Sequence, residues 1–228
     1  MTRTKISEII LKFMTEYVSN PILNIGEHDI QSELLCRLRI CINEKIEVNI
    51  NLKSGPKKKY SWNNKPRKTS RVHTETKITN GGKNIAGLTD KQRVDLMVFK
   101  NKNVDLLCHK DGPLAIVTEA DISDVNSVIE LKSTTVTASN SADFIKDIKF
   151  LFAYKAASAE VSCFQVFFNT SLSLGCVSST TIPTTTWQSW VTSEGWKASQ
   201  TQPQSPFVEV FYIDPVTLIP TMSYVTQS

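Results

Sequence analysis

The stretch Ser127-Val128-Ile129-Glu130-Leu131-Lys132-Ser133-Thr134 decides how this chain is read. Val128, Ile129 and Leu131 give it the apolar run of a strand buried on both faces, yet two opposite charges are set into it two residues apart. Residues i and i+2 of a strand share a face, so Glu130 and Lys132 project side by side from a core element. Burying such a pair is costly unless other charges or a metal ion meet it.

Working outward, Arg93-Val94-Asp95-Leu96-Met97-Val98-Phe99 is a second apolar strand with one carboxylate embedded in it. Asp105, within Val104-Asp105-Leu106-Leu107-Cys108, is the alternative embedded acid and lies closer in sequence to Glu130. Asp95 is preferred because its strand is longer and more apolar. The run 104–108 is expected to pair back as a further strand. Leu114 to Val117 is a short apolar run, and polar 121–126 leads into the Glu130 strand.

Upstream, residues 3–18 have apolar side chains at helical spacing, stopped by Asn20-Pro21. A second helix is expected from about Asp29 to Ile42, with Ile30, Leu34, Leu35, Leu38 and Ile42 as its stripe. The period then switches to two. Ile46, Val48, Ile50 and Leu52 alternate with polar residues, as do Val72, Thr74, Thr76 and Ile78, and the two runs read as an antiparallel pair. Between them, SGPKKKYSWNNKPRKTSR carries Lys57, Lys58, Lys59, Lys65, Arg67, Lys68 and Arg71, no acid, and the rings of Tyr60 and Trp62. Uncompensated positive charge interleaved with rings is suited to a phosphate backbone and unstacked bases, and also to a plain solvated loop.

Downstream, Ser141 is a plausible N-cap for a helix to about Ala159, with Phe144, Ile148, Leu151 and Phe152 as its buried stripe. Val161 to Phe168 reads as a strand, Trp187 to Trp196 as a short helix, and Phe207 to Ile213 as a closing strand. The three tryptophans 187, 190 and 196 read as packing residues. The expected plan is α/β with mixed pairing.

An Asp on one strand followed by Glu-x-Lys on a neighbour resembles the PD-(D/E)XK, restriction-endonuclease-like, nuclease superfamily. The resemblance covers about residues 27–170. It implies a single nuclease-like domain over 1–228 whose core is a central mixed β-sheet flanked by helices in the order αβββαβ. The basic stretch 53–71 is then an insertion and 171–228 a C-terminal elaboration. In that family the strand acids, here Asp95 and Glu130, hold one or two Mg²⁺ ions, for which Mn²⁺ substitutes, and the carbonyl of Leu131 completes the shell. A helix before the sheet often adds an acid. Glu33 is the choice for it and Glu27, in the preceding loop, the second, although Glu33 is equally placed to pair with Arg37 at i,i+4. Lys132 orients the attacking water and neutralises charge on phosphorus.

The implied activity is Mg²⁺-dependent phosphodiester hydrolysis of DNA by an endonuclease of the restriction or defence type, with a homodimer expected for cutting both strands. Two other classes stay open: an inactive nucleic-acid-binding module of the same fold, and a protein-interaction subunit in which Glu130 and Lys132 are a structural pair.

Composition is compatible with this plan. Of 228 residues 40% are hydrophobic and 21% charged, ordinary for a globular protein, and the net charge of +4 permits a polyanion partner. Five cysteines, none in a CxxC pair, argue against a zinc ribbon and for a reducing, cytoplasmic setting. No run approaches the roughly 18 apolar residues of a membrane span, so no membrane partner is expected. His28, His73 and His109 stand in no HxH or HExxH setting, and no GxxxxGK[ST] or GxGxxG appears, so zinc hydrolysis and a nucleotide cofactor lack support. Sugar hydrolysis by the two carboxylates would leave Lys132 and the basic loop unexplained.

Overall fold

A computed structural model describes residues 3–19, 26–52, 67–89, 91–111, 115–134, 141–169, 187–214 and 217–227. Among them the chain forms helices α1 (Arg3–Ser19), α2 (Glu27–Cys41), α3 (Ser141–Ala157) and α4 (Trp187–Ser193). The strands are β1 (Lys45–Leu52), β2 (Arg67–Ser70), β3 (Val72–Asn80), β4 (Lys83–Asn84), β5 (Val94–Phe99), β6 (Val104–Asp111), β7 (Ala115–Asp121), β8 (Val125–Thr134), β9 (Ser162–Asn169), β10 (Lys197–Ser199), β11 (Phe207–Ile213) and β12 (Pro220–Thr226). They join one mixed sheet in the order β10-β12-β11-β9-β8-β5-β3-β7-β6-β1-β2, with β4 on β3. The α/β class and mixed pairing expected from the sequence are therefore present.

The centre of the sheet is apolar on both faces, which is why β5 reads as an unbroken hydrophobic run: Val94, Leu96, Met97, Val98 and Phe99 are all buried. Strand alternation divides its neighbours. Leu96, Ile129, Phe164, Val166 and Phe211 meet α1 and α2 on one face, while Met97, Val128, Phe167 and Val210 share a core with α3 and α4 on the other. Helix α1 buries Ile6, Ile9, Ile10, Phe13, Met14 and Tyr17. At roughly 1.5–3 kcal/mol per large apolar side chain, that burial holds in place a helix whose length alone would leave it marginal in water. Trp187 and Trp190 pack against Phe144 with ring centroids 5.9 and 5.5 Å away, as the packing reading expects.

The other half of the sheet departs from the expected pairing. β1 does not pair with β3; it lies antiparallel to the short β2 and parallel to β6. β6 does not pair back on β5 but forms a hairpin with β7. β2 runs into β3 with only Arg71 between them, so one continuous segment stands at both ends of the series β2-β1-β6-β7-β3. Those strands must therefore curl around a common core, which includes Ile46, Val48, Ile78, Val104 and Ala120. β3 serves both halves by bending. Val72 to Thr76 pairs with β5 and Lys77 to Thr79 with β7. Within the first of these pairings, at the position skipped between Thr74 and Thr76, Glu75 has a φ of 50°, a left-handed conformation that costs a non-glycine residue about 1 kcal/mol or more.

Arg71 locks this corner. Its side chain is 1% exposed, its Nε and one terminal nitrogen donate to the carbonyl of Phe99 at 3.0 and 2.8 Å, and its other terminal nitrogen pairs with Glu44. The Phe99 N–H returns a bond to the Arg71 carbonyl at 2.8 Å. This overturns the expectation that Arg71 belongs to the basic phosphate-binding set, because its donors are spent on the fold. His73 packs edge-on to Phe99, with 5.0 Å between centroids, and its Nε2–H donates to the Ser70 carbonyl at 2.8 Å.

Two predictions follow from this corner. Arg71→Ala should lower unfolding free energy in urea by about 3 kcal/mol, because buried partners lose their donor, and Arg71→Lys should restore little of it for want of a planar fork. Burial, opposed by the Ser70 bond and aided by the charge of Arg39, holds the His73 imidazole below its ordinary pKa. The unfolded chain therefore binds more protons than the native one as pH falls through 6.5, so stability drops with acidification there. His73→Phe should flatten the fall in Tm between pH 7 and pH 5.

Candidate functional site

The sheet brings Asp95 and Glu130 together through the antiparallel pairing of β5 and β8, in which Leu96 stands opposite Ile129 and Met97 opposite Val128. One further step in the same register sets the two acids across from each other. The long separation between them in sequence is taken up by the β6–β7 hairpin, which leaves the line of the central strands and returns. The Asp95 carboxylate accepts from the Leu131 N–H at 2.7 Å. Asp95 bears directly on the Glu130 carboxyl, whose Oε1 has no hydrogen-bond partner among the described residues. Glu130 is only 4% exposed.

Two adjoining carboxylates in a buried place cannot both remain charged at ordinary cost. Burial first, then the charges of Asp95 and Asp147, pushes Glu130 well above the usual carboxylate range. Burial raises Asp95 as well, offset in part by the Leu131 N–H and the bond from Glu130. Both carboxyls are thus held above the ordinary carboxylate range, and the two titrate as a coupled pair.

Lys132 projects next to it. Its Nζ is 3.7 Å from Glu27 Oε2 and 3.9 Å from Asp147 Oδ2. Burial acts to lower its pKa, but Asp147, Glu27, Asp143 and Asp95 together outweigh burial and raise it, so Lys132 is held as the ammonium ion. Glu27, the first residue of α2, is fixed by the Ser133 N–H, which donates to its Oε2 at 2.9 Å. Burial, against the opposing charge of Lys132, pushes Asp147 up to about 7.

The sequence-derived residues fall into three groups. Asp95, Glu130, Leu131 and Lys132 come together, joined by Glu27. Glu33 does not join them: its carboxylate accepts from Arg37 Nε at 2.8 Å, and Arg37 also pairs with Glu16, on the side of α2 that faces α1. Asp105 is also elsewhere, accepting from Asn49 at 2.9 Å on the curled half of the sheet. Lys57, Lys58, Lys59 and Lys65 lie outside the described residues, Arg67 is described only as part of the β2 strand, and Lys68 is exposed opposite Glu47 on β1.

Two residues at the site escaped the sequence reading. Gln31 donates to the Asp95 carbonyl at 2.8 Å and to Glu75 at 3.2 Å, tying α2 to the bend in β3. Asp147 had a legible signal: it stands three residues after Phe144 and four before Leu151, squarely in the buried stripe of α3.

Among the described residues no group of three or more His, Cys, Asp or Glu side chains is arranged to hold a metal ion. The donor set still suits Mg²⁺, which takes hard oxygen ligands, keeps several waters, and is commonly held by only one or two carboxylates. The carboxylate oxygens of Asp95 and Glu130, set across from each other on adjoining strands, are such ligands. No helix among the described residues is long and apolar enough to cross a membrane. Set against protein-family models, curated proteins and solved structures, the chain matches none of them.

The raised carboxyls set the sign of a pH effect. In the native protein Asp147 keeps its proton up to about 7, whereas the unfolded chain loses it near 3.8, so stability falls as pH rises through that window. In EDTA, Asp147→Asn should reduce the drop in Tm between pH 4 and pH 7.5, leaving the part that Glu130 and Asp95 contribute.

Proposed function

We propose that the chain is a Mg²⁺-dependent nuclease acting on DNA, with a restriction-endonuclease-like core. The observation that carries this reading is the pair of half-buried Asp95 and buried Glu130 on adjoining strands, set beside an ammonium ion held by two further acids. The order of elements supports it. α2, β3, β5, β8, α3 and β9 follow one another as αβββαβ, and β3, β5, β8 and β9 are neighbours in the sheet. β1, β2, β4, β6 and β7 are then insertions into that core.

On this reading Asp95 and Glu130 hold Mg²⁺ or Mn²⁺, and the Leu131 carbonyl is a further oxygen available to it. When bound, the ion supplies Lewis acidity toward a phosphate oxygen and a water. The cation would take the place of the protons that burial favours on the two carboxyls, and Asp95 and Glu130 would then sit together without mutual repulsion. Lys132 supplies fixed positive charge toward the phosphorus centre, where negative charge grows in the transition state. Its raised pKa suits it to that role and to proton donation, and makes it a poor base at neutral pH. Glu27 and Asp147 hold the ammonium from two sides, so little reorganisation is needed when substrate arrives. The lysines and arginine at 57–68 are the proposed contacts to the DNA backbone.

Cleavage of supercoiled plasmid and labelled single strands in Mg²⁺ or Mn²⁺, with an EDTA control, tests the proposal. Wild type should nick in metal, EDTA should stop it, and Lys132→Ala should lower the rate at least about 100-fold while DNA binding and Tm stay near wild type. A folded wild type that binds DNA but never cuts would favour the binding-module reading, and equal cutting by Lys132→Ala would remove the site from consideration.

A further inference from the structure

Glu130 and two polar side chains on the same side of the sheet, Gln165 and Tyr154, carry hydrogen-bonding groups that are not accounted for among the described residues. In the parallel pairing of β8 with β9, Glu130 stands directly opposite Gln165. Gln165 is fully buried, and neither its amide oxygen nor its amide nitrogen has a partner among the described residues. Its neighbours Cys163 and Phe167 belong to the α3 side of the sheet, so the amide points the same way as the Glu130 carboxyl. On α3, the fully buried Tyr154 also has a hydroxyl with no partner, and it lies close enough to Glu130 for that carboxylate to raise its pKa after burial has done so.

Unpartnered buried polar atoms are rare, each costing roughly 1–3 kcal/mol, and four in one place call for a common explanation. Their chemistry is complementary. Glu130 Oε1 and Gln165 Oε1 accept, Gln165 Nε2 donates twice, and the Tyr154 hydroxyl does both. One water donating to the two oxygens and accepting from both the amide and the phenol satisfies the set, which meets the two to four polar partners an enclosed water requires.

We infer that Gln165 and Tyr154, with one enclosed water, are positioning residues that fix Oε1 of the Glu130 carboxylate and so orient it toward the metal ion. The inference rests on the reading of Asp95 and Glu130 as metal-holding carboxylates. Groups of this kind orient ligands and raise their affinity, and their loss typically weakens metal binding about 10- to 100-fold.

Calorimetric titration of the full chain with Mn²⁺ alone tests it. Gln165→Leu should bind Mn²⁺ about 10- to 100-fold more weakly than wild type while its far-UV circular dichroism and Tm remain those of a folded protein. Tyr154→Phe, which removes only the hydroxyl, should weaken binding in the same direction and by less. If Gln165→Leu does not fold, Gln165→Met, closer in length, takes its place. Folded variants that bind Mn²⁺ within about twofold of wild type would overturn the positioning role and leave the metal site standing. Wild type that takes up no Mn²⁺ would overturn both.

Discussion

Two carboxylates that repel each other, Asp95 and Glu130, are forced into contact at the buried junction of β5 and β8, and much of the surrounding structure follows from meeting that cost. The strands cannot separate, because each is apolar on both faces and sandwiched between α1 with α2 and α3 with α4. The Leu131 N–H compensates one acid, burial favours the protonated form of the other, and Gln31 secures the backbone that carries Asp95. A fold selected only for stability would place apolar residues there, since replacing buried ionisable groups by well-packed hydrophobes is often neutral or stabilising. Their retention at the centre of the sheet is the physical argument for chemistry.

The charge arrangement around that contact has a direction. On the inner side burial and mutual repulsion favour protons on the acids; on the outer side Lys132 stands between Glu27 and Asp147, which favour its charge. A divalent cation and a phosphate together would replace the protons with a more symmetric balance, positive ion against carboxylates and ammonium against phosphate oxygen. The elements that supply these groups, α2, β5, β8 and α3, all converge on one end of the β5–β8 junction. The curled half of the sheet, β1, β2, β6 and β7, contributes no acid to the pair and is joined to it through the bend at Glu75 and the corner at Arg71.

How much of this was legible depended on whether the signal was local. Glu130 and Lys132 declared themselves because charge inside an apolar strand is anomalous wherever the strand goes, and Asp95 did so for the same reason. The helices α1, α2 and α3 followed from periodicity. Pairing did not. β1 and β3 alternate like a hairpin, yet β2, an Arg-Lys-Thr-Ser edge with no apolar pattern, takes the place beside β1, because an edge strand needs backbone partners more than buried side chains. β12 was overlooked since Pro-Thr-Met-Ser-Tyr-Val-Thr lacks a strong apolar run, and it is held by seven paired positions on β11. Glu33 and Glu27 were separable only in three dimensions: both belong to α2, and the approach of α1 carrying Glu16 draws Arg37 and Glu33 away from the sheet while Ser133 captures Glu27. Arg71 looked like one more cation of a basic run until the corner it ties became visible.

The most direct test of the account is where a metal ion sits. Crystals of the protein soaked in Mn²⁺ and measured at the manganese absorption edge should show an anomalous peak between the carboxylates of Asp95 and Glu130, with Lys132 beside it and not bound to it. Ordered crystals with no peak there at millimolar Mn²⁺, or with manganese only elsewhere, would contradict the claim that this buried pair exists to hold a cation and would return Glu130 and Lys132 to a structural role.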